Sequence, residues 1–238
     1  ADRPGVFPGT YDPVDLYAAG TFEYGLKPGE APPAKDGGIA YVAPEGTPGN
    51  QDYPGALGLD FDVVSPIRIL RLGVFDDLSD GLKLPINARL YERTSRTVLA
   101  TLDFTPLSSG ELVGGSRFKD LGEPIVLVPG FQGTIVAEGY GAGELNGNVP
   151  LTGYGPWTVD DGGCLLSFVG SGRHDQNWPV VPGSFPAAVD GGPPNRYAAG
   201  TFEFEAVSSG DVPQPPVNLT ASAGPGETVA LAWQAPSG

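Results

Sequence analysis

The chain has 238 residues, 28 of them acidic and 13 basic, for a net charge of −15. Such a charge repels phosphate backbones and anionic membrane surfaces, which excludes nucleic acid as a partner and leaves neutral glycans, cations and other proteins. A single cysteine and a single histidine exclude an intrachain disulfide and any metal site built on those two residue types. No apolar run approaches the roughly 20 residues that a membrane-spanning helix needs.

Glycine (37) and proline (26) together make about a quarter of the chain. They fall as short punctuation between apolar runs, the pattern of many strands joined by many turns. The opening "ADRPG" suits a mature end left by signal-peptide removal, and an expression boundary equally. Residues 17–24, "YAAGTFEY", return at 197–204 as "YAAGTFEF", with seven of eight positions alike. In each copy two aromatic residues alternate with Thr and Glu, so each reads as a strand with an aromatic inner face. The residues immediately following the two copies differ. We therefore expect two strands of one sheet, neighbours that close the domain, rather than a repeat architecture.

No window sustains helical periodicity over three turns. Alternation predicts strands at 39–43, 58–64, 67–75, 86–93, 97–104, 124–128, 132–138 and 164–169. Along "GLDFDVV", Leu59, Phe61 and Val63 face inward and Asp60 and Asp62 form a wet face. Segments 86–93 and 97–104 form a hairpin that sends Ile86, Ala88 and Leu90 inward and Tyr91 outward, with Val98, Ala100, Leu102 and Phe104 on one face. In "IRILRLGVF", Ile67 and Ile69 share one phase and Leu70, Leu72 and Val74 the other. This strand is either covered on both faces or bulged near Ile69–Leu70. Cys164, in the apolar run "CLLSFVG", reads as a buried inert thiol. The fold expected is all-β: a two-sheet antiparallel β-sandwich, jelly-roll-like, over residues 1–207. A Pro-rich linker follows at 208–216.

Residues 217–238 contain Leu219, Ala221, Gly224, Val229, Leu231, Trp233 and Pro236. That pattern resembles the first two strands of a fibronectin type III domain, in which the tryptophan anchors the core. The resemblance implies a domain that is incomplete within this chain. Residues 40–205 resemble, less sharply, β-sandwich modules of large secreted bacterial surface proteins. That likeness implies export and a surface setting, and carries no functional residues across.

The densest acidic loop, "FDDLSDG", offers Asp76, Asp77 and Asp80 as ligands for a hard cation, with calcium as the candidate cofactor; the alternative is a solvated turn. Asp160, Asp161 and Asp190 are weaker versions, best explained by turns. Carboxylates are too plentiful to single out a catalytic pair, and His174 lacks the partners of a serine or cysteine triad. The segment 139–163 shows no clear strand, and loops that long are usually functional or disordered. Together with 173–185 it supplies Tyr140, Tyr154, Trp157, Asn177 and Trp178 as glycan-binding candidates, aromatic faces for sugar C–H groups beside amides for hydroxyls. The alternative is that the two tryptophans cap the sandwich ends.

The function expected is a non-catalytic, exported module for adhesion or glycan binding, located outside the cell or at its surface. Its partner is a glycan or a neighbouring surface protein. The alternative is a structural subunit that self-assembles into a surface layer or filament through exposed strand edges. An accessory domain of a secreted polysaccharide-degrading enzyme ranks third.

Overall fold

The computed structural model describes residues 37–149, 155–175, 181–207, 217–223 and 229–234. The described residues all belong to the unit Lys35–Gly238. In chain order the strands are β1 (Gly37–Ile39), β2 (Tyr41–Val42), β3 (Leu57–Val63), β4 (Ile67–Phe75), β5 (Ile86–Glu92), β6 (Thr97–Phe104), β7 (Glu111–Val113), β8 (Ser116–Leu127) and β9 (Gln132–Glu138). They continue as β10 (Gly147–Asn148), β11 (Thr158–Val159), β12 (Leu166–His174), β13 (Ala188–Val189), β14 (Tyr197–Ala198), β15 (Gly200–Ala206), β16 (Val217–Ala223) and β17 (Val229–Gln234).

Two antiparallel sheets form the sandwich, in the orders β1-β15-β4-β8-β7 and β13-β12-β3-β9-β5-β6. The chain passes repeatedly from one sheet to the other: β3 to β4, β4 to β5, β6 to β7 and β8 to β9 each cross between them. The core lies between the inner faces. Leu57, Leu59, Phe61, Ile86, Ala88, Leu90 and Ile135 come from the larger sheet, and Ile67, Ile69, Leu72, Val74, Phe202 and Phe204 from the smaller. Strands β16 and β17 pair antiparallel with each other.

The change of phase in β4 is a bulge. Register slips between Ile69 and Arg71 against β8, and the extra residue keeps Ile67, Ile69, Leu72 and Val74 all fully buried. The hairpin β5–β6 forms as expected. Val98, however, is 44% exposed, because β6 is the edge strand of its sheet. Cys164 also departs from expectation. It is exposed and sits at φ 72° in the turn after Asp161–Gly163, just before β12 begins.

Around Asp60 the outer face of the larger sheet is covered rather than wet. Asp60 is only 7% exposed. Arg173 Nε donates to both its carboxylate oxygens at 2.8 Å, and Thr134 Oγ1 donates to it at 2.6 Å. Asp62 pairs with Arg93. Tyr91, expected outward, does face this side but is buried. Phe185 covers it edge-on, with ring centres 5.2 Å apart, and Arg96 and Arg173 lie over the Phe185 ring. Period-two alternation reports which residues share a face and is silent on what a distant loop lays over that face.

Most residues of "YAAGTFEF" at 197–204 make a specific contact. Tyr197 and Ala198 pair with Asn148 and Gly147. Gly200 lies so close to Ile135 and Val136 that a Cβ would meet them at 3.1 Å. Thr201 Oγ1 donates to the Tyr41 carbonyl and accepts from the Tyr41 N–H. Phe202 packs on Phe61 with ring centres 4.7 Å apart, and Glu203 pairs with Arg71 on the outer face. The first copy, 17–24, lies outside the described residues. On 200–206 β4 pairs along one side, and β1 pairs with 203–205 on the other.

Candidate functional site

The segment 139–149 is a braced ledge. Gly139 turns at φ 109° above Pro85, whose carbonyl oxygen leaves no room for a Cβ. Tyr140 then drops into the core, 1% exposed, and its hydroxyl lies 3.2 Å from the Phe75 carbonyl oxygen and 3.0 Å from that of Ala199. Burial raises its pKa well above the usual value. Tyr140 is therefore a structural anchor, which corrects its assignment as a glycan contact: its ring is enclosed and its hydroxyl already engaged.

Glu144, fully buried, accepts from the backbone N–H groups of Asp77 and Lys83, both at 2.8 Å, and so ties this ledge to the 76–83 loop. Burial raises its pKa, the two N–H donors acting in the opposite sense.

The three aspartates expected to hold calcium are engaged separately. Asp76, fully buried, pairs with Arg117 at 2.6 Å and accepts from the Gly81 N–H. Asp77 accepts from the Gly49 N–H at 2.7 Å, and Asp80 pairs with Lys83. Among the described residues no group of three or more His, Cys, Asp or Glu side chains is arranged to hold a metal ion. The loop's carboxylates serve as partners for cations and N–H groups of the chain itself.

Beyond the ledge, Asn148 and Val149 run alongside Arg196–Ala198. Trp157, half-buried, donates from Nε1 to the Asn195 carbonyl at 3.0 Å. Its indole lies close against two glycines. A Cβ on Gly147 or Gly155 would meet ring carbons at 2.8 and 2.6 Å. These glycines are what allow the ring to seat.

Two adjoining clefts result, sharing the backbone at 148–149 and 195–196. The first, of about 400 Å³, is lined by Val149, Trp157, Thr158, Val159, Pro193 and Pro194. The second, of about 230 Å³, is lined by Gln51, Tyr53, Asn148, His174, Asp190 and Arg196.

The polar cleft is organised by Asp190. It accepts from Arg196 Nη1 at 2.6 Å, from the Gly192 N–H at 2.9 Å and from the Tyr197 hydroxyl. Burial opposes its ionisation, but these donors outweigh that and hold its pKa below the usual value. Tyr197 is pushed well up, first by burial and then by that carboxylate. Arg196 Nε reaches Asn148 Oδ1 at 2.6 Å, so one guanidinium bridges both walls. His174 Nδ1 lies 2.8 Å from the Asp175 carbonyl, which requires Nδ1 to carry the proton and leaves Nε2 an acceptor in the neutral ring.

Of the glycan candidates, Trp157 alone is placed at a cleft by the described residues. Tyr154, Asn177 and Trp178 lie outside them. Asp190 does stand in a turn, yet the turn forms a cleft wall. Sequence reasoning missed Tyr53, Pro193, Pro194 and Arg196. The run "PPNRY" next to the "YAAGTFEF" strand was the signal that could have found three of them, two rigid prolines followed by polar groups.

No family model matches the chain. Similar curated proteins do exist. It is 35% identical over 112 residues to UDP-GalNAc:beta-1,3-N-acetylgalactosaminyltransferase 2 of Xenopus laevis, covering 46% of this chain and 22% of that protein. Proteins of the same name from mouse and human are 33% and 32% identical over 136 residues, covering 57% of this chain and 25% of theirs. The chain thus matches about a quarter of the length of these relatives or less.

The transferase names overturn two expectations. One is a non-catalytic module for adhesion or glycan binding, together with its alternatives of a surface-layer subunit and an accessory domain for polysaccharide degradation. The other is that the chain has no part in an enzyme. The second rested on the absence of catalytic motifs from this segment, and about three quarters or more of each relative's length lies outside the match.

Proposed function

We propose that this sandwich is part of a glycosyltransferase and that its paired clefts hold the saccharide that receives the transferred sugar. The similarity to three proteins named as N-acetylgalactosaminyltransferases carries the reading. The site chemistry supports it. Trp157 and the prolines offer an apolar floor for the C–H face of one sugar ring. Across the shared backbone, Asn148, Arg196, His174 and Tyr53 offer donors and acceptors for the hydroxyl or acetamido groups of the next. Such a substrate accords with the exported setting that composition suggests.

Titration of the protein with a saccharide panel that includes N-acetylhexosamine-terminated glycans tests this by calorimetry or NMR. A binding glycan is expected, and Trp157→Ala should weaken it by about tenfold, the equivalent of ~1.4 kcal/mol. In the full-length protein the same change should raise KM for the acceptor while leaving kcat for the bound complex near its original value. If no saccharide binds and acceptor KM is untouched by Trp157→Ala, the clefts are not the acceptor site.

A further inference from the structure

The echo at 17–24 extends further than its strand. The structure treats residues 182–204 as one connected device. Pro182–Gly183 make a turn, with Gly183 at φ 81° and its N–H donated to Glu138. Phe185 covers Tyr91, and Pro186 packs over Gly58. Asp190 holds Tyr197, and the strand then closes the sheet. Residues 4–12, "PGVFPGTYD", match 182–190, "PGSFPAAVD", without a gap: Pro4, Gly5, Phe7, Pro8 and Asp12 stand where Pro182, Gly183, Phe185, Pro186 and Asp190 stand. "YAAGTFEY" and "YAAGTFEF" follow. The identical positions are the ones that do something in the fold. They are the turn glycine, the covering phenylalanine, the packing proline, the carboxylate and its tyrosine.

Two strands alike by chance would share alternation. They would not also share a Pro-Gly pair, a phenylalanine-proline pair and an aspartate that precede the strand segment. The only length difference is two residues in the tract between aspartate and tyrosine, "PVDL" against "GGPPNR". That tract lines the clefts in the second copy and is not needed by the core.

We propose that residues 4–24 are the closing segment of a second copy of this sandwich, which stands immediately before it in the same polypeptide. The Pro-containing tract 25–36 joins the two. In this chain the slot for such a segment is already filled by β15, between β1 and β4. The segment 4–24 keeps the residues that serve the scaffold in 182–204 and differs in the tract that lines the clefts there. It has no counterpart of the Pro193–Pro194 pair, and Leu16 stands directly before its tyrosine where Arg196 stands here.

The coding sequence upstream of Ala1 provides the direct test. The expected result is a stretch matching Gly37–Asp175, with counterparts of Asp60, Phe61, Tyr91 and Arg173 at similar spacing. An unrelated upstream sequence overturns the proposal. A second measurement compares the chain with one lacking residues 1–26. Both should be monomeric by light scattering, with the same thermal midpoint. A lower midpoint would mean that 4–24 packs in its own sandwich. A dimer that dissociates on deletion would mean exchange between chains. Either result overturns the tandem arrangement.

Discussion

Asp60 stands mid-strand on a sheet face that alternation marks as solvent-facing, yet two arginines and a threonine converge on it. Its value lies in what its loss would strand: Arg173, largely buried on the same face, pairs with this carboxylate, whereas Arg93 keeps Asp62. Removing one partner of a buried ion pair typically costs about 3–5 kcal/mol. Asp60→Ala is expected to fall in that range, read from the urea midpoint. Asp190 invites a pH experiment. Its folded pKa lies below the ordinary 3.8, so its contribution is complete above that value and is lost as pH falls through the lower folded one. Asp190→Asn should destabilise the protein at pH 7 by about 1–3 kcal/mol. Urea melts from about pH 7 down to about pH 2.5 should show the gap between variant and parent closing below pH 3.8. A gap constant with pH would mean that its ionisation contributes nothing.

At the scale of elements, β3 and β9 pair so that the Phe61 ring lies directly over Gly133, leaving no room for a Cβ. Gly133→Ala should therefore destabilise by overpacking, about 1–3 kcal/mol, seen as a lowered thermal midpoint. Most strands were legible in the sequence because their alternation is local. Segments 67–75, 97–104 and 132–138 coincide with β4, β6 and β9, and even the bulge near Ile69–Leu70 showed as a change of phase. Burial of Asp60 and Tyr91 was not legible, because the loop residue Phe185 that completes their layer is remote in sequence. The site was half legible. The length and aromatic content of 139–163 pointed to Trp157, but the same criteria selected Tyr140, which the fold uses as an anchor. Arg196 and Tyr53 reach the cleft through tertiary structure, and composition gives no sign of it.

At the scale of the whole molecule, the smaller sheet is completed by its last strand. β15 enters between β1 and β4, so residues near both ends of the described sandwich meet in one sheet. Phe202 and Phe204 supply core that nothing else replaces. A chain ending at Ala199 is expected to be unfolded by NMR and rapidly proteolysed, whereas one ending at Val207 should retain cooperative melting. A folded, cooperative short form would mean that the two sheets cohere without that strand. The same wiring has a consequence during synthesis. At the usual ~5–20 residues per second, roughly 6–25 s separate the ribosome's addition of Phe75 from that of Gly200. Throughout that interval β4 has its β8-facing edge or its β15-facing edge, or both, unoccupied. Over that interval the nascent chain depends on charge repulsion, or on a bound chaperone, to keep Ile67 through Val74 from pairing with a neighbour on the same message.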